Sequence, residues 1–169
     1  EGEFAGLVGP SGSGKTTLLN IIGSLDVPSE GEVLVMGHPV GKLTAAQAAL
    51  LRKQQLGFIF QSYNLLPVYT VYENVEFPLL LLDLPASERK QRVLETLEWV
   101  GLTDKVKSRP AALSGGECQR VAIARAMVKR PALVLARLHL CHRRRRSLRH
   151  LRVRPVLRDR ARGDPWATG

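Results

Sequence analysis

Apolar positions along the chain fall into short continuous runs and longer stretches with helical spacing, and the two kinds alternate. Residues 4–8 (Phe-Ala-Gly-Leu-Val) form such a run, the pattern of a parallel strand buried on both faces. After a glycine-rich stretch, Leu18, Leu19, Ile21 and Ile22 mark one face of a helix that ends at Gly23. Residues 28–31 (Pro-Ser-Glu-Gly) read as a turn and residues 33–36 as a second strand. Residues 44–53 are rich in Ala, Gln and Leu and predict a helix, followed by a strand over residues 57–60. Thr70 with Glu73 has the spacing of a capping box and opens another helix. The next is expected to be capped by Ser87, with Val93, Leu94, Leu97 and Val100 on one face and Gly101 at its end. Ser114 with Glu117 forms a second capping box, whose helix should run to about Lys129. A last apolar run covers residues 131–136. Strands alternating with helices predict an α/β fold. The sequence shows no internal repeat. Its longest apolar run, around residues 79–82, falls far short of the ~18 residues of a membrane helix.

The 169 residues suit one domain, and a hydrophobic content of 44% suits a packed core. The acidic start, Glu1 and Glu3, does not resemble a secretory leader. Cys118 and Cys141 give no disulfide framework and fit a reducing compartment, so a cytoplasmic chain is expected. The formal charge of +10 is unevenly spread. Residues 137–169 hold 11 Arg, no Lys and two Asp, a net +9, while the first 136 residues are near neutrality. Clustered Arg can neutralise nucleic-acid phosphates. Binding modules of that kind mix Lys with Arg and interleave aromatics, whereas Trp166 is the only aromatic here, so a nucleic-acid partner is not expected. Eleven Arg with few apolar anchors predict that the tail from about residue 140 lacks fixed structure.

The chemistry begins at residues 9–17, Gly-Pro-Ser-Gly-Ser-Gly-Lys-Thr-Thr, which carry the phosphate-loop spacing of Gly9, Gly14, Lys15 and Thr16. Glycines at 9, 12 and 14 let successive backbone N–H groups converge on phosphate oxygens, and the following helix adds its positive end. Lys15 would reach the β- and γ-phosphates, and the Thr16 hydroxyl would ligate Mg²⁺. Ser11, Ser13 and Thr17 complete the expected cradle. The apolar run before the loop and the helix after it are the setting this motif needs.

Residues 113–120, Leu-Ser-Gly-Gly-Glu-Cys-Gln-Arg, offer a second anion site, because a Ser cap and two glycines expose N–H groups at a helix start. Here the chain resembles the ATP-binding subunits of ABC transporters, whose signature motif has this form. The resemblance implies that Ser114 and Gly116, with Gly115 between them, contact the γ-phosphate of an ATP held by a second ATP-binding subunit, in a head-to-tail dimer. Residues 58–67 look like the Q-loop of that family. Gln61 would then approach Mg²⁺ and join the core to a helical subdomain, and Lys15 and Gln61 would be the two residues with catalytic roles. The stretch at 71–80, with Pro85 to Arg89 after it, looks like the branch serving lipoprotein release and macrolide export. The fold implied is a P-loop NTPase core, a mostly parallel sheet flanked by helices, with an inserted α-helical subdomain. Core residues would be 1–66 and 117–136, and the subdomain about 67–116. ATP and Mg²⁺ are the implied cofactors and transmembrane permease subunits the implied partners, at the inner face of the cell membrane.

The resemblance is continuous to residue 136 and then stops. The family continues with Asp-Glu-Pro-Thr, an Asp to hold the Mg²⁺ shell and a Glu to polarise the attacking water, and later carries a switch His. Arg137 and Leu138 stand there instead, and His139, His142 and His150 match no switch. Cys141 and His142 lack the spacing of a metal site. A reading-frame shift near codon 137 accounts for the change. Read one nucleotide later, residues 139–143 can decode as Thr-Ser-Ala-Ile-Asp, close to the family's Thr-Ser-Ala-Leu-Asp. The expectation is a cassette incomplete at both functional ends and defective in hydrolysis. Rival readings are another P-loop enzyme such as a kinase, a non-transport ABC-type ATPase, and a catalytically dead fragment with an Arg-rich nucleic-acid-binding tail.

Overall fold

The structure is a computed structural model that describes residue 3 and residues 5–137. The Arg-rich stretch expected to lack structure, Cys141, and the three His residues after position 137 lie outside the described residues. Contacts place the described residues 9–137 in one unit and residues 3 and 5–8 outside it. All assigned elements belong to that unit: α1 (Lys15–Ile22), β1 (Leu34–Val35), β2 (His38–Pro39), α2 (Ala45–Gln55), β3 (Leu56–Ile59), α3 (Val71–Glu76), α4 (Ala86–Trp99), α5 (Gly115–Met127) and β4 (Leu133–Ala136).

The strand expected over residues 4–8 is not formed: residues 5–8 are irregular, with Leu7 and Val8 exposed. An apolar run becomes a strand only when a neighbour takes its backbone hydrogen bonds, and none among the described residues does so. The strand expected at 33–36 is shorter and belongs to a hairpin. β1 pairs antiparallel with β2 across Met36 and Gly37. Both turn residues have positive φ, 51° and 83°, the geometry that matches strand twist in a two-residue hairpin loop. Leu79 is fully buried as expected, but Leu80 and Leu81 are exposed, since residues 77–81 form a 3₁₀ turn rather than a continuous helix.

The parallel pair is β3 with β4, in register Leu56 to Leu133 through Ile59 to Ala136. One hydrophobic cluster joins Leu51 of α2, Leu56 of β3 and Val35 and Val40 of the hairpin region, with Ile21 and Ile22 of α1 packed against it. α1 ends directly on the sheet: a Cβ on Gly23 would lie 2.7 Å from the Phe58 ring. A second cluster holds Val71, Val75 and Leu79 against Val93 and Leu97 of α4 and Val121, Ala124 and Val128 near α5. α5 therefore serves both. It gives one face to the helices and lies so close to β3 that a Cβ on Gly57 would meet the Ala126 carbonyl at 2.7 Å. Past its end, burial draws the Lys129 amine down to about 8, and the ammonium donates to the carbonyls of Arg52 and Lys53 at the close of α2.

Helix ends follow local chemistry. The capping boxes at Thr70 and Ser114 are formed with both reciprocal bonds, and Thr44 makes a third with Gln47. The N-cap of α4 lies two residues before the expected Ser87 cap. Pro85 is its N-cap, because a residue without an N–H and with fixed φ suits a helix entry, and Ser87 lies inside the first turn. At its far end Gly101 takes φ 65°, and the Leu102 amide reaches the Leu97 carbonyl while the Gly101 amide reaches that of Glu98. This is the Schellman closure, with buried Leu102 packed in the same cluster as Leu97.

Fully buried Asn74 organises the chain before α3. Its Oδ1 accepts from the Leu66 amide at 2.8 Å, and its Nδ2 donates to the carbonyls of Leu66, Tyr69 and Thr70. Removing it leaves the Leu66 amide and these carbonyls to find other partners, at about 1–3 kcal/mol for each group left unpaired. Asn74→Ala is therefore expected to lower the unfolding free energy by about 2–4 kcal/mol in urea titration. An unchanged midpoint would show that these bonds stabilise nothing.

Candidate functional site

The glycine-rich loop closes around one amine. Gly12 and Gly14 take φ 82° and 81°, a conformation costly to residues with a Cβ. Gly14 is the N-cap of α1 and supplies no side-chain acceptor, and the first turn of α1 contains no acidic residue. The leading N–H groups of this helix are thus offered outward with the positive end of its dipole. The Lys15 ammonium donates to the Gly9 carbonyl at 2.8 Å, the Pro10 carbonyl at 2.5 Å and Ser13 Oγ at 2.9 Å. A Cβ on Gly9 would press on Ser13 Oγ at 3.0 Å, so a side chain there would make that hydroxyl give way. Three neutral oxygens hold the cation, and anionic phosphate oxygens would be stronger acceptors for it. Residues 9–15 therefore fit a polyphosphate. Ser11, Thr16 and Thr17 are exposed on the same loop and first helical turn.

Gln61 follows the end of β3. Because β3 and β4 run parallel, the residue after β4 comes alongside: the Arg137 amide donates to the Ile59 carbonyl at 2.9 Å. Phe60, Gln61, Ser62, Asn64 and Arg137 line one open cleft of about 330 Å³. Arg137 thus stands beside Gln61, in the place where the resemblance puts an acid. Mg²⁺ asks for hard, preferably anionic oxygens. Thr16 and Gln61 supply neutral ones, and a guanidinium in the cleft opposes a second cation. These residues fit phosphate oxygens better than they fit the metal.

At the start of α5, Ser114, Gly115 and Gly116 are exposed. The Ser114 amide and hydroxyl both donate to Glu117 Oε2 at 2.7 Å, and Ser114 Oγ accepts from the Glu117 amide at 3.3 Å. The serine is therefore engaged by its own helix, and the Gly115 and Gly116 amides are the groups this end presents outward. The Ser114 amide first, then its hydroxyl, hold the Glu117 carboxyl below its ordinary 4.5. A carboxyl lowered on folding stabilises above its ordinary value, and that contribution is lost as pH falls through the lower folded value. Glu117→Gln is expected to flatten the acid limb of thermal melts taken downward from neutral pH. A residual slope should remain from Glu73, lowered in the same way by Thr70. An acid limb identical to the parent's would show that the box does not form.

The three groups sit on three separate elements: the phosphate loop leads into α1, Gln61 follows β3, and the signature residues open α5. A connection that the pattern did not reveal links the last two. Tyr63 and Asn64 have φ of 60° and 48°, left-handed values that cost a residue such as Tyr about 1–2 kcal/mol and that Asn adopts more readily. Arg125 of α5 donates from Nη1 to the Asn64 carbonyl and from Nη2 to the Tyr63 carbonyl, each at 2.6 Å. The available signal was an Arg within an otherwise apolar helical run, residues 121–128. No described helix is long and apolar enough to cross a membrane.

The profile of the ABC transporter family matches residues 1–136. An uncharacterized ABC transporter ATP-binding protein of Thermotoga maritima is 52% identical over 136 residues, covering 80% of this chain and 58% of that protein. Among solved structures, a dimeric ATP-binding cassette in a post-hydrolysis state, bound to ADP and Pi, superposes with a TM-score of 0.69 at 44% identity. That match covers 75% of this chain and 56% of the other. A dimeric bacterial ABC transporter cassette matches with the same score, identity and coverage. The chain thus spans a little over half the length of these relatives.

Proposed function

The chain belongs to the ABC transporter family as an ATP-binding cassette of α/β P-loop fold, and from that membership we propose that it binds ATP on residues 9–17 and offers Ser114, Gly115 and Gly116 to the nucleotide of a second cassette. The observation that carries the reading is the convergence of Gly9, Ser13 and the Lys15 ammonium at the uncapped start of α1. Lys15 would exchange loop carbonyls for the β- and γ-phosphates, and the glycine amides would hold the remaining oxygens. The exposed amides of Gly115 and Gly116 support a head-to-tail partner, as does the dimeric state of the solved relatives. The wider role we propose is to couple ATP to transport through transmembrane permease subunits, at the cytoplasmic face of the membrane, in the export or lipoprotein-release branch.

Mg²⁺ would supply charge neutralisation between the phosphates, and Thr16 and Gln61 are the residues that would hold it. Arg137 beside Gln61 works against that role and provides no carboxylate to position water. We accordingly read this chain as a binding cassette defective in hydrolysis, whose sequence leaves the family's frame after Ala136. The end of the family match at residue 136 supports that reading. Sequencing the gene across codon 137 tests the frame, and an ATP titration of the full chain tests the binding. An unshifted gene would remove the first claim, and absence of saturable binding would remove the second.

A further inference from the structure

Two features of the Gln61 loop call for a cause. Tyr63 and Asn64 are consecutive non-glycine residues in the left-handed region, a conformation that persists only where surrounding contacts over-determine it. Local bonds go part of the way: the Tyr63 amide donates to the Phe60 carbonyl, the Asn64 amide to the Ser62 carbonyl, and Ser62 Oγ to Asn64 Oδ1. All of these lie within the loop and would move with it. One anchor from outside is Arg125, whose planar fork bridges both carbonyls from half-buried ground on α5. The same helix begins at Ser114 and is seated against β3 at Gly57.

We propose that Arg125 is a positioning residue, which fixes the loop of Gln61 to the signature helix so that this amide is held toward the nucleotide and follows any displacement of α5. The proposal rests on the nucleotide-binding reading above. A guanidinium is suited to the task because its two terminal nitrogens form two parallel bonds of set spacing, whereas an ammonium is a point donor that cannot hold both carbonyls in one geometry. Burial lowers the Arg125 pKa, and with so basic a group the cation persists at neutral pH.

The test uses the full chain with Arg125→Lys and, as a second variant, Arg125→Met. Amide hydrogen exchange and the side-chain amide resonance of Gln61 are followed with and without ATP. Exchange at the amides of Gln61, Tyr63 and Asn64 is expected to rise at least tenfold in Arg125→Lys, while α3 and α4 keep the parent rates and the unfolding midpoint holds. ATP should shift the Lys15 amide in parent and variant alike, but move the Gln61 side-chain resonance in the parent alone. Parent-like exchange and a parent-like Gln61 response in both variants would overturn the proposal. So would a uniform rise in exchange across α3 and α4, which marks a general structural role. If ATP moves neither signal in the parent, the nucleotide reading fails, and the exchange rates still decide whether Arg125 holds the loop.

Discussion

Lys15→Ala is expected to weaken ATP binding by roughly a hundredfold or more, with the fold intact. Hydrogen bonds to charged groups contribute about 1.5–3 kcal/mol each, and every 1.4 kcal/mol is about a tenfold change in affinity. The Lys15 ammonium already sits among the carbonyls of Gly9 and Pro10 and Ser13 Oγ, within reach of whatever the glycine amides hold. Truncation removes the one cation of the loop and leaves a phosphate facing dipoles alone. The side chain is not part of either hydrophobic cluster, so the unfolding midpoint should move little. Titration calorimetry of parent and variant at low salt provides the measurement. Equal affinities would mean that residues 9–17 are not where the phosphates bind.

Phosphate release from ATP by this chain is expected to be about 10²–10⁴-fold slower than by a version that continues after Ala136 in the shifted frame, because a positioned general base contributes that much. In barrier terms the loss is about 3–5 kcal/mol. Arg137 makes the deficit worse than a simple deletion. Arg137 lines the Gln61 cleft, and its cation would compete with a divalent ion for the charge of a bound phosphate. Adding Mg²⁺ should accordingly tighten ATP binding far less for this chain than for the frame-shifted one. Arg137→Asp with Leu138→Glu is not expected to restore turnover by itself, since no switch His accompanies the pair. Comparable rates from the parent and the frame-shifted chain would show that the chemistry runs on other groups.

The features readable in the sequence are those whose causes are local. A Ser or Thr three residues before a Glu closes its own box, and the two boxes at Thr70 and Ser114 are where the pattern placed them. Gly101 ends α4 because only the residue itself must turn left-handed. Lys15 reaches its loop within six residues. What was not legible depends on partners elsewhere. Residues 5–8 have the composition of a strand and, among the described residues, no neighbour to make them one. The β1–β2 hairpin escaped notice because Met36 and Gly37 are not the Asn-Gly usually read as such a turn. Arg125 bonds to carbonyls 61 and 62 residues earlier, and backbone acceptors leave no trace in a side-chain pattern. The site shows the same division. The proposed phosphate loop and signature are each contiguous in sequence, whereas the nearness of Gln61 to Arg137 required the parallel register of β3 and β4.

That register also sets an order of events during folding. The cluster of α3, α4 and α5 closes shorter stretches of chain than the pairing of β3 with β4, which brings together Leu56 and Leu133. Among the described residues the strand paired with β3 is β4, so Leu56 waits for Leu133 across the whole helical stretch. A nascent chain therefore completes its helical cluster while the edge of β3, with the apolar Leu56 and Ile59, is still open. During that interval the bare edge is an invitation to intermolecular strand addition, and its protection depends on how soon β4 leaves the ribosome.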